Sequence, residues 1–256
     1  MKKGRLFFLL ATTVVATGAL AATPTLDGSI DAADGYTFMG IATDSVGWAG
    51  AQLDEAYYAV DDNYWYFAAT RLDASDWMKF AVIADVGDAA GAADDPWGRA
   101  LDFGHANLPE VIIIGDWNAD SGVGNGYSEI YTWDGTQWNR LEEDPGTGVE
   151  PNRAEWGDSV LSADDLTLEV RIRRDLLAGL GTAPVNAQIY TTGDNNTHGV
   201  FDSIPGDIVA GSWDETADPN TLTEMTAVPP AAISDFTYDS AVDMGTLGVA
   251  TGDIRG

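Results

Sequence analysis

The run from Ala56 to Thr70 constrains this chain most tightly, because two segments rich in aromatic, β-branched and small residues flank the polar triplet Asp61-Asp62-Asn63. Short Asx side chains can bond nearby backbone and tolerate left-handed conformations, so the triplet predicts the turn of a β-hairpin. Similar runs, spaced by Gly- and Asp-rich turns, recur to about Thr226. They predict strands at Gln52–Val60, Tyr64–Arg71, Lys79–Asp85, Glu110–Trp117, Ser128–Trp133, Gln137–Leu141, Ala154–Leu161, Leu166–Ile172, Ala187–Thr192 and Asp207–Trp213. Val111-Ile112-Ile113-Ile114 is apolar on both parities and reads as a strand buried on both faces. Only Arg174–Leu180 has helical character, closed by Gly181. The expected fold is all-β, an antiparallel, jelly-roll-like β-sandwich with one short helix.

Two further segments carry a family likeness. Leu26-Asp27-Gly28-Ser29-Ile30-Asp31 precedes the hairpin, and Leu168-Glu169-Val170-Arg171-Ile172-Arg173 runs into the short helix. This order resembles the family 9 carbohydrate-binding modules and their DOMON-like relatives, including the C-terminal module of glucodextranase. The resemblance spans roughly residues 24–227, with Arg173 where the family usually has proline. It implies a secreted, non-catalytic sandwich whose partner is a polysaccharide or oligosaccharide.

The N-terminus predicts export. Lys2, Lys3 and Arg5 precede the largely apolar Leu6–Leu20, and Ala19-Leu20-Ala21 fits the small-x-small cleavage rule. Residues 1–21 are the expected signal peptide, residues 22–227 the sandwich and residues 228–256 a Pro/Gly-rich tail with one weak strand candidate, Ile233–Tyr238. The expected location is extracellular or periplasmic, without membrane insertion after cleavage. No cysteine is present, so neither disulfides nor thiol chemistry contribute. Cleavage removes three basic residues and no acidic one, taking the net charge from −29 to −32 and leaving Lys79 as the one mature lysine. Such a chain is repelled by nucleic acid and anionic membranes.

Candidate chemistry is sparse. His105 and His198 are the only histidines, and neither lies in a nucleophile or metal motif. With carboxylates everywhere, a catalytic triad or carboxylate pair is not specified, and no enzymatic activity is expected. Asp116, Asn118 and Asp120 alternate before Gly122 in a partial calcium-loop pattern, which makes calcium the candidate cofactor; the alternative reading of the same residues, and the more common one, is a plain Asx turn. The acidic run Asp85, Asp88, Asp94 and Asp95 reads as a solvated loop.

Trp97 sits in a polar loop and Trp117 at a strand end, positions suited to stacking on a sugar ring. Tyr131, Trp133 and Trp138 share one face of a hairpin if Asp134-Gly135 forms a two-residue turn that sets Tyr131 opposite Trp138. That face is either a sugar platform or sandwich core. Asn195 lies in the polar loop Gly193–Gly199, similar to a late loop of glucodextranase-type modules. Two other functions stay open: an acidic envelope or matrix subunit that self-assembles through sheet edges, and haem binding through His105, His198 or Met78.

Overall fold

The computed structural model describes residues 23–43, 49–61, 63–74, 78–86, 90–118, 128–141, 157–174, 185–193, 195–206 and 220–228. The expected signal peptide, the helix from residue 175 onward, the strand Asp207–Trp213, Asp120 and the tail strand Ile233–Tyr238 lie outside the described residues. In chain order the strands are β1 (Thr37–Ile41), β2 (Leu53–Val60), β3 (Tyr64–Arg71), β4 (Lys79–Asp85), β5 (Leu101–Phe103), β6 (Val111–Asp116), β7 (Ser128–Trp133), β8 (Trp138–Arg140), β9 (Gly157–Leu161), β10 (Thr167–Arg173), β11 (Val185–Thr192), β12 (Val200–Ile204), β13 (Asn220–Leu222) and β14 (Thr226–Val228). The fold is all-β and sandwich-like.

Five strands form one sheet in the order β1-β2-β3-β10-β9. The second sheet runs β12-β11-β4-β6-β7-β8, with β14 sharing the β12 edge of β11. Pairing within both sheets is antiparallel; β5 and β13 form a small parallel pair of their own. Val228, the first residue of the expected tail, pairs with Val185 and is buried.

The hairpin turn between β2 and β3 forms as the sequence implies. Asp61 Oδ1 accepts the Asn63 and Tyr64 N–H groups at 2.7 and 2.8 Å, and its Oδ2 accepts the Tyr66 hydroxyl at 2.7 Å. Trp65, Phe67 and Ala69 then point into the layer between the sheets, meeting Phe80, Val82, Val111 and Ile113. The opposite parity of β6 is buried too. Ile112 and Ile114 join Ala81, Ile83, Leu101, Phe103, Tyr190 and Leu222 in a second apolar layer, beneath β5 and β13. The seven-stranded sheet is therefore covered on both faces, which explains the unbroken apolar run at 111–114.

The five-stranded sheet gains an outer cover from residues 24–36. Glu169 Oε2 accepts the N–H groups of Asp27 and Gly28 at 2.9 and 2.7 Å, and Oε1 accepts the Tyr36 hydroxyl at 2.8 Å. The two segments that carry the family likeness thus meet at one buried carboxylate. Gly28 has φ +84°, and a Cβ there would come within 2.8 Å of the Leu161 carbonyl and Ser162 backbone, so both conformation and space demand glycine. Asp34 repeats the device locally, accepting the N–H groups of Thr25 and Asp31.

Glu169→Ala should therefore lower stability by at least about 1.5–3 kcal/mol, the worth of one hydrogen bond to a charged group, and loosen residues 24–36. Urea denaturation with limited proteolysis of the N-terminal segment checks this; an unchanged midpoint and cleavage pattern would contradict it.

Candidate functional site

The face of the seven-stranded sheet that points away from the five-stranded one carries the chain's chemical side chains in register. Trp133 pairs with Trp138, Tyr131 with both Arg140 and Ile112, Glu129 with Ile114, and Lys79 with Asp116. Alternation puts all of these on one face. The loop Asp94–Arg99 folds over it: the Trp138 indole N–H donates to the Asp94 carbonyl at 2.8 Å, and the Trp97 indole N–H donates to Glu129 Oε2 at 2.9 Å.

The hairpin register differs from the two-residue turn expected from Asp134-Gly135. Asp134 Oδ1 accepts the N–H groups of both Thr136 and Gln137, and its Oδ2 accepts the Asn139 amide, so the connection spans Asp134–Gln137, with Gly135 at φ +95°. Those bonds hold the Asp134 carboxyl well below the usual carboxylate range, its contact with Asn139 contributing most. Trp133, not Tyr131, consequently opposes Trp138, their rings 5.5 Å apart and edge to face. The shift is two residues and preserves parity, so the three aromatics still share a face. All three are half-buried, neither sealed core nor free platform.

Trp97 is held more firmly than a free loop aromatic. Beyond Glu129, it lies 3.2 Å from the Tyr131 hydroxyl, and the Arg99 guanidinium sits 4.3 Å from its ring centroid. Arg99 pairs with Asp95 at 3.0 Å, both side chains almost wholly buried, while Glu129 also pairs with Arg140 at 3.1 Å. Burial, followed by the bond to Glu129, pushes the Tyr131 hydroxyl up to about 12. Trp97 thus spends its indole N–H and a ring face on docking its own loop. Of the acidic run Asp85, Asp88, Asp94 and Asp95 read as a solvated loop, Asp94 is exposed, but Asp85 and Asp95 are buried, Asp95 with Arg99, and Asp88 lies outside the described residues.

Trp117 departs from its expected place at a ligand. It is 0 % exposed, part of the layer between the sheets, with its indole N–H on the Asp165 carbonyl at 3.0 Å and the Arg71 guanidinium over its ring. The strand end that promised exposure is roofed by the β9–β10 turn, which sequence spacing does not reveal. In the calcium pattern, Asp116 pairs with Lys79 and Asn118 Oδ1 accepts the Met78 N–H at 2.9 Å. Both residues have protein partners, and Asp120 lies outside the described residues. Asn195 is exposed in a loop closed by its carbonyl accepting the His198 N–H. Of the haem candidates, Met78 is in the core and His105 Nε2 is 3.0 Å from Gln188 Oε1. Among the described residues, no three His, Asp or Glu side chains are grouped as metal ligands.

A second polar cluster, which sequence reading missed, occupies the other end of this face. Asp85, His105, Asn107 and Asn186 line a cavity of about 210 Å³ where β4 and β11 meet the cover, and Glu110 and Gln188 are buried nearby, Gln188 on His105 and Glu110 close to Asp85. Burial, reinforced by Asp85 beside it, raises the Glu110 carboxyl from 4.5 to about 7. Only strand register brings these residues together: they are spread over a hundred positions.

No protein-family model matches this chain. No curated protein matches it either.

Two outcomes follow from these placements. Trp117→Ala should cost about 3–5 kcal/mol as a core deletion, whereas Trp133→Ala should leave the urea midpoint nearly unchanged. Glu110 binds its proton more tightly in the folded chain, so its contribution is fully present below about 4.5 and lost as pH rises through about 7. Stability should fall between pH 5 and 8, and Glu110→Gln should flatten that slope in parallel denaturation curves.

Proposed function

We propose that this chain is an exported, non-catalytic glycan-binding sandwich whose sugar-facing surface is the β7–β8 hairpin. The observation that carries this reading is Trp133: half-exposed, edge-on to Trp138, its indole N–H without a partner among the described residues. Exposed Asp134, Thr136 and Gln137 lie directly beside it, and Asn139 follows. An aromatic face offers the C–H face of a pyranose an apolar contact, while adjacent carboxylate, hydroxyl and amide groups bond its hydroxyls. The resemblance to family 9 modules supports the same substrate class, and the N-terminal leader pattern supports export. Among the described residues, no helix is long and apolar enough to cross a membrane. Calcium enters as a structural ion; at Asp116 and Asn118 it would have to displace Lys79 and the Met78 N–H.

A glycan-array screen of the purified chain, followed by calorimetry, tests the reading. Trp133→Ala should weaken capture by about two- to tenfold or more, since an aromatic contact is worth ~0.5–1.5 kcal/mol. No capture of any glycan by the folded protein, or capture indifferent to Trp133→Ala and Trp138→Ala, would defeat it.

A second reading, self-assembly through a sheet edge, is favoured by β1. This strand ends the five-stranded sheet, and Phe38 and Ile41 on it are each 53 % exposed. A second copy is the occupant we propose. Self-repulsion of so acidic a chain makes such pairing stronger at high salt. Light scattering across a salt series should show association that Phe38→Asp abolishes; a monomer at every salt concentration would exclude it.

A further inference from the structure

Asn195-Asn196-Thr197 follows the pattern of asparagine, any residue but proline, then serine or threonine, and no other asparagine of the chain begins one. That pattern marks an acceptor of N-linked sugar in an exported protein, provided that the asparagine stands on a surface segment with its side-chain amide unspent. Sequence alone does not decide the second condition, because an asparagine in a polar loop readily caps a neighbouring backbone group or is drawn into the fold. Asn118, Asn186 and Asn220 show that fate: they hold the Met78 N–H, the buried Asp85 and the Val200 N–H respectively.

Asn195 is placed differently. The connection from β11 to β12 is pinned at its base, where the Thr192 hydroxyl donates to the Gly199 carbonyl at 2.8 Å and the His198 carbonyl accepts the Ala100 N–H at 3.1 Å. Asn195 and Asn196 are both exposed beyond that base. The Asn195 carbonyl accepts the His198 N–H at 2.9 Å, and its Oδ1 accepts the Thr197 N–H at 3.2 Å. Its side-chain Nδ2 donates to no residue, so the one atom a sugar would join is the one the fold leaves unused. Thr192 lies opposite Lys79 and Lys79 opposite Asp116, so this loop leaves the sheet at the Lys79–Asp116 end. Trp133 and Trp138 stand at the other end, beyond the pair Val111–Thr132, and four strand steps across from β11, about 19 Å at ~4.8 Å per step.

We propose that Asn195 is an acceptor for N-linked glycosylation, taking an oligosaccharide from a lipid-diphosphate donor as the chain is exported. The step joins Asn195 Nδ2 to C1 of the first sugar. The bond from C1 to the phosphate oxygen breaks, the lipid diphosphate leaves with the electron pair, and Nδ2 gives up one proton to the transferase. An amide nitrogen shares its lone pair with the carbonyl and is a weak nucleophile, so the chemistry is the transferase's. This chain supplies a reachable Nδ2 with a threonine two residues on. A bulky, hydrated glycan on an exposed loop displaces no packed side chain and, at this distance, leaves the aromatic edge open. The role is covalent, distinct from the sugar contact expected of Asn195 by family likeness. It rests on the export half of the proposed function and is independent of the glycan-binding half.

The test is intact-mass measurement and peptide mapping of the full chain, produced through the export route of cells that carry an oligosaccharyl transferase. The expected product lacks residues 1–21 and carries an oligosaccharide mass increment on the peptide that contains Asn195. Asn195→Gln and Thr197→Ala should each remove the increment, and Thr197→Ser should keep it. All three positions lie in the loop, so the urea midpoints of the variants should match one another and confirm that folding is not what changed. A leader-free, folded chain with a bare Asn195 overturns the proposal and leaves glycan binding at the aromatic edge untouched. An increment that survives Asn195→Gln or Thr197→Ala overturns it as well. A chain that keeps residues 1–21 and no sugar defeats export, and this proposal with it.

Discussion

The seven-stranded sheet has an apolar layer against each of its faces, so its central strands cannot alternate between oil and water. A polar group on them costs free energy unless it finds a partner inside the protein. That demand explains why Val111–Ile114 is unbroken in its hydrophobicity, and why polar residues gather at the two ends of β4 and β6 rather than along them. At one end Lys79 meets Asp116; at the other Asp85 and Glu110 are buried near each other. The half-exposed aromatics of β7 and β8 occupy the β8 edge of that sheet.

Much of this architecture is legible in the sequence wherever side-chain pattern and local turn chemistry agree. Tyr64–Arg71, Lys79–Asp85 and Ser128–Trp133 form at the expected bounds, since each is a full-length run of strand-forming residues between polar breaks. Strands of three residues, such as Leu101–Phe103 and Thr226–Val228, are too short to show a period and exist because longer neighbours hold them. Val200–Ile204 was missed because Asp202 and Ser203 make it look like loop. In place, Asp202 is buried and accepts the Leu53 N–H at 2.8 Å, tying the two sheets together.

The site was legible in part. That Tyr131, Trp133 and Trp138 share a face follows from parity and survives a change of turn length. That Trp117 is sealed does not, because its roof comes from a turn almost fifty residues away. Trp97 shows a loop aromatic doing structural work, its N–H and ring both engaged by residues that no local pattern links to it. The buried carboxylates Asp85 and Glu110 were hidden for the same reason: proximity across strands follows from the fold, not from sequence spacing. Glu169 is the reverse case, a residue inside a recognisable motif whose role becomes plain only when the opening segment closes over it.

Among the described residues, most cations are engaged by neighbours. Lys79 lies on Asp116, Arg99 on Asp95, Arg140 on Glu129 and Arg71 over Trp117, while Arg171 and Arg174 lie over Tyr64 and Trp65. Positive charge on these residues works as internal fastening. Seen from a distance greater than the Debye length of the medium, the molecule is an almost unrelieved polyanion. Its outermost layer is then a cloud of mobile counterions rather than a mosaic of its own side chains, and the glycan proposed for the aromatic edge would first have to exchange with that cloud.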